Sequence, residues 1–434
     1  MILTDETKLN KIWFYYHLNG NCYLCSMELS KDFFNLILDF GDNWVITNIE
    51  SDHKKFEVYL DIEYHSDYYE DPDTLMEAKL YDHTEIRVWR HLDILHYKSY
   101  IRCRIPRVKC GNGKVKQIAI GWAGKYDRHT YHFEIKVIDT LKATHNQTKT
   151  ASLLNCSFRL VNRIIHSCTK RGLKRRDTSK LSFEHIGIDE KSFKKGHKYV
   201  TVISHPKSGV VLNVGEDRDE KSVERLLDET FTRKQQDEMN TVSMDMWKAY
   251  INAVENKLSN AEVVHDKFHL IKYLNECIDK IRRREVKDNE VLKNSRYALL
   301  KNEVNMTKKQ REKFEIIKGL NFQVSQAMYI RENFKAMFEC YNEENGALEL
   351  LKNWAQDSFM KGIKEVNKVV LMFLNHTKGV VNALISKLNN AMAERLNGKI
   401  QELKTIGRGY RKFKNFKSVI LFFHGGLDLY PLRW

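Results

Sequence analysis

The sequence predicts an α/β protein whose mixed core is interrupted by an all-α insertion and preceded by a helix-turn-helix and an α+β N-terminal region. Three observations predict it. Glu184 to Val214 holds three short apolar runs separated by turn-like polar segments, as in an antiparallel meander. A further apolar run, Thr241-Val-Ser-Met, closes on Asp245 and passes at helical spacing into Met246 to Val254. From about Leu270 to Lys387 the apolar spacing is helical throughout, well beyond a typical loop limit of about 15 residues.

Residues 1–125 form the α+β region. Trp44-Val-Ile-Thr-Asn-Ile-Glu50 and Phe56-Glu-Val-Tyr-Leu-Asp-Ile-Glu-Tyr64 alternate with period two and pair as a hairpin. Ile101 to Ile120 alternates cationic and apolar residues, as in Arg102-Cys-Arg-Ile-Pro-Arg-Val-Lys109, which predicts a strand with a basic face suited to a phosphate backbone. Cys22-Tyr-Leu-Cys25 has the spacing of half a zinc site, with Cys103, Cys110 and His83 as further candidate ligands. Ordinary buried thiols are the alternative, and the sequence leaves both readings open.

Residues 126–180 carry the helix-turn-helix. A helix begins around Tyr131 to Leu141. Ala151 at a tight helix crossing, Asn155 where the turn needs a left-handed residue, Ser157 as N-cap and Val161 in the core then fit the motif. Its second helix, about Phe158 to Arg171, is the expected recognition helix, presenting Arg159, Arg163 and Lys170 to DNA. Arg171, Lys174, Arg175 and Arg176 extend the cationic cluster. A helical hairpin without a DNA role is the alternative, since the usual turn glycine is absent.

Residues 181–270 read as three strands, a helix around Ser222 to Phe231, the Asp245 strand, a helix to about Lys257, and Ala261-Glu-Val-Val-His265 as a fifth strand. The order β-β-β-α-β-α-β is RNase H-like and sets the Asp189 and Asp245 strands side by side. Residues 271–387 form the insertion, with helices expected at 271–286, 290–302, 308–318, 323–340, 345–362 and 366–375. Trp354 belongs to its core. Residues 388–434 return to the core with a helix through Glu394, the Gly407-Arg408-Gly409-Tyr410-Arg411 segment, whose arginines suit a phosphate, and a closing helix over Phe413 to Phe423.

The chain has 434 residues, 4 prolines and a formal net charge of +15, which indicate an ordered globular protein of two or three domains. The charge is unevenly placed. Residues 1–100 carry 9 Lys and Arg against 19 Asp and Glu, residues 101–180 carry 19 against 4, and the remainder 44 against 34. A compact basic block of this kind is the footprint of a polyanion partner. No run has the length of a bilayer span or the flanks of a signal peptide, and eight scattered cysteines suit reduced thiols, so a cytoplasmic protein without a membrane partner is expected.

The chemistry is expected at Asp189 and Asp245, each read as an acid at a strand end, and at Glu394 in the helix-forming stretch 389–401. Hard divalent cations prefer carboxylate oxygens, and a triad of this kind suits two Mg²⁺ or Mn²⁺ ions acting on a phosphodiester.

Several segments carry a resemblance. Ile186-Gly-Ile-Asp189-Glu190, Ser243-Met-Asp245-Met-Trp247-Lys-Ala-Tyr250, Asp266-Lys-Phe-His269, Asn390-Ala-Met-Ala-Glu394-Arg-Leu-Asn397 and Gly407-Arg-Gly-Tyr-Arg411 through Gly425-Gly-Leu-Asp428 are, in order, similar to the ISL3-type transposases of bacterial insertion sequences. The resemblance runs from about Trp89 to the C-terminus. It implies an RNase H-like enzyme with an Asp-Asp-Glu triad at Asp189, Asp245 and Glu394, with Asp266, His269 and Arg408 as auxiliary residues. It also implies binding of double-stranded DNA at terminal inverted repeats and at a target, a homodimer or higher oligomer on DNA, and a nucleoid-associated place in the bacterial cytoplasm. The family's zinc-site cysteine pair precedes a segment like Trp89-Arg-His-Leu92, whereas Tyr68 to Tyr81 here holds no cysteine. A non-catalytic DNA-binding regulator and an RNase H-like junction nuclease are the alternative functions.

Overall fold

A computed structural model describes residues 11–18, 21–28, 34, 35, 38, 40, 41, 43–176, 183–194, 198–301, 303–320, 322–340, 343–386 and 391–431; the side chains of residues 11–28, 303 and 391–394 lie outside it. The chain divides into a unit of Met1–Cys168 with Leu429–Trp434 and a unit of Thr169–Asp428.

The first unit is built mainly from strands. Strands β1 (Lys11–Leu18) and β2 (Asn21–Glu28) form a hairpin. Strands β3 (Trp44–Asp52) and β4 (Glu57–Tyr64) pair antiparallel as their alternation predicts, and β5 is Tyr69–Glu70, β6 Glu77–His83, β7 Arg87–Arg90, β8 Lys98–Cys103, β9 Pro106–Lys109 and β10 Val115–Gln117. They make two four-stranded sheets, ordered β3-β4-β8-β7 and β10-β9-β6-β5. Trp44, Trp89 and Trp122 meet edge to face at the centre, with centroids 5.1 Å and 5.7 Å apart. The expected basic strand breaks into β8 and β9, and two of its cations pair with acids: Arg102 binds Asp61 (2.6 Å) and Glu50 (2.7 Å), and Arg107 binds Asp82.

Three helices follow, α1 (Tyr131–Thr144), α2 (Gln147–Leu153) and α3 (Phe158–Arg175). Ala151 is buried, Asn155 takes φ 45°, the Ser157 hydroxyl accepts from the Leu160 amide at 3.2 Å, and Val161 is wholly buried. Each residue of the expected turn therefore does locally what its chemistry dictates.

In the second unit, β11 (His185–Lys194), β12 (Lys198–His205), β13 (Val210–Glu216), β14 (Thr241–Met244) and β15 (Glu262–His265) form a sheet ordered β13-β12-β11-β14-β15. The first three strands are antiparallel, and β14 and β15 run parallel to β11. Between them lie α4 (Glu220–Thr230), the short α5 (Arg233–Asp237) and α6 (Lys248–Lys257). Ile186, Ile188, Ile203, Val242 and Met244 pack one sheet face against Val223, Leu227, Ala253 and Val254 of these helices. The period of two turns the alternate residues Val200 and Val202 the other way, onto Leu396, Ile400, Phe416 and Ile420 of α14 (Ala391–Ile406) and α15 (Phe413–His424).

Asp189 does not end its strand. β11 runs five residues beyond it, because β12 keeps pairing as far as Lys194 after the parallel pairing with β14 stops at Gly187 and Ser243.

Helices α7 (Lys267–Glu285), α8 (Arg296–Leu300), α9 (Lys308–Lys318), α10 (Gln323–Met337), α11 (Glu344–Met360), α12 (Lys364–Asn375) and α13 (Thr377–Ile385) separate β15 from α14. They share a core that includes Leu274, Ile278, Phe334, Trp354 and Phe373. The Trp354 indole donates to the Ile330 carbonyl at 3.0 Å, which removes the cost of burying its N–H. The sequence pattern misses α13 as a separate helix; it is joined to α12 by a single residue, His376.

Candidate active site

Asp189 and Asp245 face the same cleft. Because Ile188 and Met244 point into the core on the α4 and α6 side, their successors, Asp189 within β11 and Asp245 just past the end of β14, emerge on the opposite face, beside α14. Asp266, His269, Leu396 and Asn397 are among the other residues that line it.

Each carboxylate is held from several directions. At Asp189, Oδ1 accepts from the Glu190 amide at 2.7 Å, and Oδ2 takes the Asn397 side-chain amide at 2.6 Å and the Lys191 ammonium at 3.0 Å. At Asp245, Oδ1 accepts from the Met246 amide at 2.7 Å, the Tyr273 hydroxyl lies 3.1 Å from both oxygens, and His269 Nδ1 lies 3.3 Å from Oδ2. Burial alone raises the Asp245 carboxyl, but the His269 imidazole 3.3 Å away, with the Met246 and Tyr273 donors, outweighs it and holds the group below its usual range. Burial likewise opposes charge on His269, yet the Asp245 carboxylate, helped by Asp189 and Asp266, keeps its imidazole above the ordinary value. Tyr273 is raised by burial and by the Asp245 charge.

The local sequence explains the second group. Asp266 caps α7 by accepting from the Phe268 amide at 2.8 Å, so His269 falls in the first turn and Tyr273 one turn later on the same face. Sequence reasoning misses Tyr273, Lys191 and Asn397. The signals were present as spacing: Tyr273 stands four residues after His269, and Asn397 three after Glu394. Glu394 lies in α14 by its backbone, and its side chain is outside the described residues.

Beyond the cleft edge, Arg218 is sandwiched between the rings of Tyr199 (4.1 Å) and Trp247 (4.3 Å) and bonds Glu190 at 2.6 Å. Arg408 takes φ 50° where α14 ends, with an exposed side chain, and Gly409 follows at φ 84°; the Gly409 amide donates to Lys404, so the glycine segment is a helix terminator.

Of the expected DNA-contacting residues, Arg159, Arg163, Lys170 and Lys174 are exposed along α3, and Arg171 is half-buried. Arg175 pairs with Asp428 at 2.9 Å, while Arg176 donates to the carbonyls of Leu212 (3.0 Å) and Gly425. Cys103 and Cys110 are buried; burial pushes the Cys103 thiol up to about 12 and, with Asp71, raises Cys110. His83 is exposed, and the Cys22 and Cys25 side chains are outside the described residues.

A cleft lined by Asp189, Asp245 and Asp266 beside a mixed five-stranded sheet defines an α/β protein with a cluster of carboxylates at the sheet edge. Residues 186–420, more than half of the chain, match the family model described as Transposase, of the ISL3 type, and the chain belongs to that family. It is 24% identical over 344 residues to the transposase for insertion sequence element IS1001 of Bordetella parapertussis, covering 77% of this chain and 83% of that one. It is 25% identical over 365 residues to the transposase for insertion sequence element IS1557 of Mycobacterium tuberculosis, covering 77% and 81%. Among the described residues no helix is long and apolar enough to cross a membrane.

Proposed function

We propose that this DNA transposase binds terminal inverted repeats, cleaves the phosphodiester at the ends of an insertion sequence and joins the freed 3′ end to target DNA, with Asp189, Asp245 and Glu394 as its catalytic carboxylates. One observation carries the reading: Asp189 and Asp245 line a single cleft, and the helix that contains Glu394 is tied to Asp189 through Asn397. Glu394 stands three residues before Asn397 in the same helix. The strand order, three antiparallel strands followed by two parallel ones on the far side of β11, supports an RNase H-like core made of 181–270 and 388–434, with 271–387 as its insertion, 126–180 as a helix-turn-helix and 1–125 as a separate N-terminal region.

Two Mg²⁺ or Mn²⁺ ions fit a set of three carboxylates, and when bound they would supply an activated water and charge neutralisation at the leaving oxygen. The chain's own groups prepare the site. Asn397 and Lys191 fix the rotamer of Asp189, while Tyr273 and His269 clamp both oxygens of Asp245. Asp266 positions His269 by capping α7, and exposed Arg408 is available to a strand phosphate. Arg159, Arg163, Lys170, Arg171 and Lys174 of α3 contact the inverted repeat, while Arg175 and Arg176 are held at the helix end by Asp428 and by the Leu212 and Gly425 carbonyls. The enzyme works as a homodimer or higher oligomer on DNA.

The test is a metal-dependent nicking assay on terminal-repeat DNA. Asp189→Asn, Asp245→Asn and Glu394→Gln are each expected to abolish cleavage and leave end binding nearly intact; cleavage retained by any of them overturns the triad, and binding without cleavage by the unaltered chain favours a regulator.

A further inference from the structure

We propose that Asp127, His129 and Glu134 of the first unit form a binding site for one divalent transition-metal ion, with zinc the best fit. One carboxylate oxygen from each acid and one imidazole nitrogen lie within 4.8 Å of one another. His129 is 1% exposed, and neither of its ring nitrogens has a hydrogen-bond partner among the described residues. Its Nε2 faces the Glu134 carboxylate at 3.7 Å, too far for a hydrogen bond, and Glu134 is itself 1% exposed. The buried imidazole, with neither ring nitrogen hydrogen-bonded among the described residues, pays a desolvation cost that coordination to a cation would offset.

The backbone holds the three donors in register. The Arg90 amide donates to Arg128 at 2.9 Å and the Thr130 amide to Arg90 at 3.0 Å, which pins His129 beside β7. Thr130 caps α1, so Glu134 falls in the first turn, five residues after His129 and on its side of the helix start. The Asp127 amide donates to Gly124 at 3.0 Å, closing a turn whose carboxylate folds over Gly124 so tightly that any side chain there would strike it. Zinc with His nitrogen and carboxylate oxygen at about 2.0–2.2 Å needs donor separations of roughly 3.3 Å, reached by side-chain torsions of less than about 1 Å at each ligand. The imidazole disfavours Mg²⁺, which prefers all-oxygen shells. Half-buried Asp127 supplies the entry path, and the ion would lock the 124–127 turn to the start of α1.

The site is independent of the Asp189 and Asp245 cleft. Its test uses full-length protein carrying Asp189→Asn and Asp245→Asn, so that the cleft binds no ion, titrated with Co²⁺ and separately loaded with Zn²⁺ and dialysed. Visible d–d bands without thiolate charge transfer, and one retained zinc per chain, are expected; adding Asp127→Asn or His129→Ala should remove that zinc and weaken Co²⁺ binding at least tenfold. Asp127→Asn alters a half-buried side chain and should keep the far-ultraviolet spectrum, which guards against a folding artefact. Equal metal content with and without these changes, no bound metal, or bands dominated by thiolate charge transfer would overturn the assignment.

Discussion

Asn397 donates its side-chain amide to Asp189 Oδ2 across 2.6 Å, joining positions 208 residues apart and bringing the return helix onto the central strand. A partner of this kind sets the direction of a carboxylate without itself touching the substrate. Partners behind metal-binding side chains typically contribute about 10–100-fold to affinity or activity. Asn397→Ala should therefore lower nicking about tenfold or more at limiting Mg²⁺ and recover in part at high Mg²⁺, as read from the Mg²⁺ dependence of the rate. A rate unaffected at every Mg²⁺ concentration would remove Asn397 from the site.

Tyr273→Phe deletes two 3.1 Å contacts to Asp245 while keeping the ring in place. Loss of such charge-assisted bonds is worth about 1.5–3 kcal/mol in a partly buried setting, which corresponds to a rate loss of roughly ten- to a hundredfold. Single-turnover cleavage measures it, and unchanged affinity for end DNA shows that the loss is local.

How far the sequence carries the site depends on which interactions are local. Asp245 is legible because an apolar run stops on it and a helix begins three residues later. Asp189 is legible as a functional acid yet misread as a strand end, since the polar Glu190, Lys191 and Ser192 break the apolar alternation while β12 continues to pair with them. Tyr273 is invisible until His269 is known to face Asp245, because a tyrosine on an amphipathic helix reads as packing. The basic block from 101 to 180 is counted correctly but partly taken up by partners within the chain, at Arg102, Arg107, Arg175 and Arg176. Charge counting sees residues, and only tertiary structure assigns their partners.

The exposed cations of α3 give a salt-dependent prediction. Each phosphate contact removed should reduce the slope of log K against log salt by about 0.9. Arg159→Ala with Arg163→Ala is expected to weaken inverted-repeat binding and lower that slope by nearly two, measured by fluorescence anisotropy across salt concentrations. Arg176→Ala, by contrast, loses bonds to Leu212 and Gly425 and should lower the melting temperature more than it changes the slope.

His91 makes the first unit sensitive to acid. It is 1% exposed, with Nδ1 bonded to the Thr130 hydroxyl at 2.8 Å. Burial, followed by the neighbouring His132 and Arg90 charges, depresses it from 6.5 to about 3. Below pH 6.5 the unfolded chain binds a proton that the folded unit refuses, so stability falls as pH drops through that window and levels off near 3. The contribution approaches 1.4 kcal/mol per pH unit at its steepest. Denaturant unfolding between pH 6.5 and 4.5 should show a shallower pH slope in His91→Gln than in the unaltered protein.

Gly379 fixes how closely the last helix of the insertion approaches the sheet. A Cβ at this position would stand 2.5 Å from the ring of His265, the last residue of β15, and the imidazole cannot retreat readily: it is 2% exposed and sits edge to face with His376 at 5.4 Å. On the same helix, Asn382 donates to the Val263 carbonyl at 3.0 Å, so α13 is fastened to β15 at two successive turns. Because the next residue after His265 is Asp266, which caps α7 and thereby positions His269, a shift at Gly379 propagates into the cleft through two peptide units. Gly379→Ala is expected to cost about 1–3 kcal/mol from overpacking, visible as a lower denaturation midpoint, and to slow cleavage at temperatures where the protein remains folded. Gly379→Ala with normal stability and normal cleavage would mean that α13 and β15 can separate without consequence for the site.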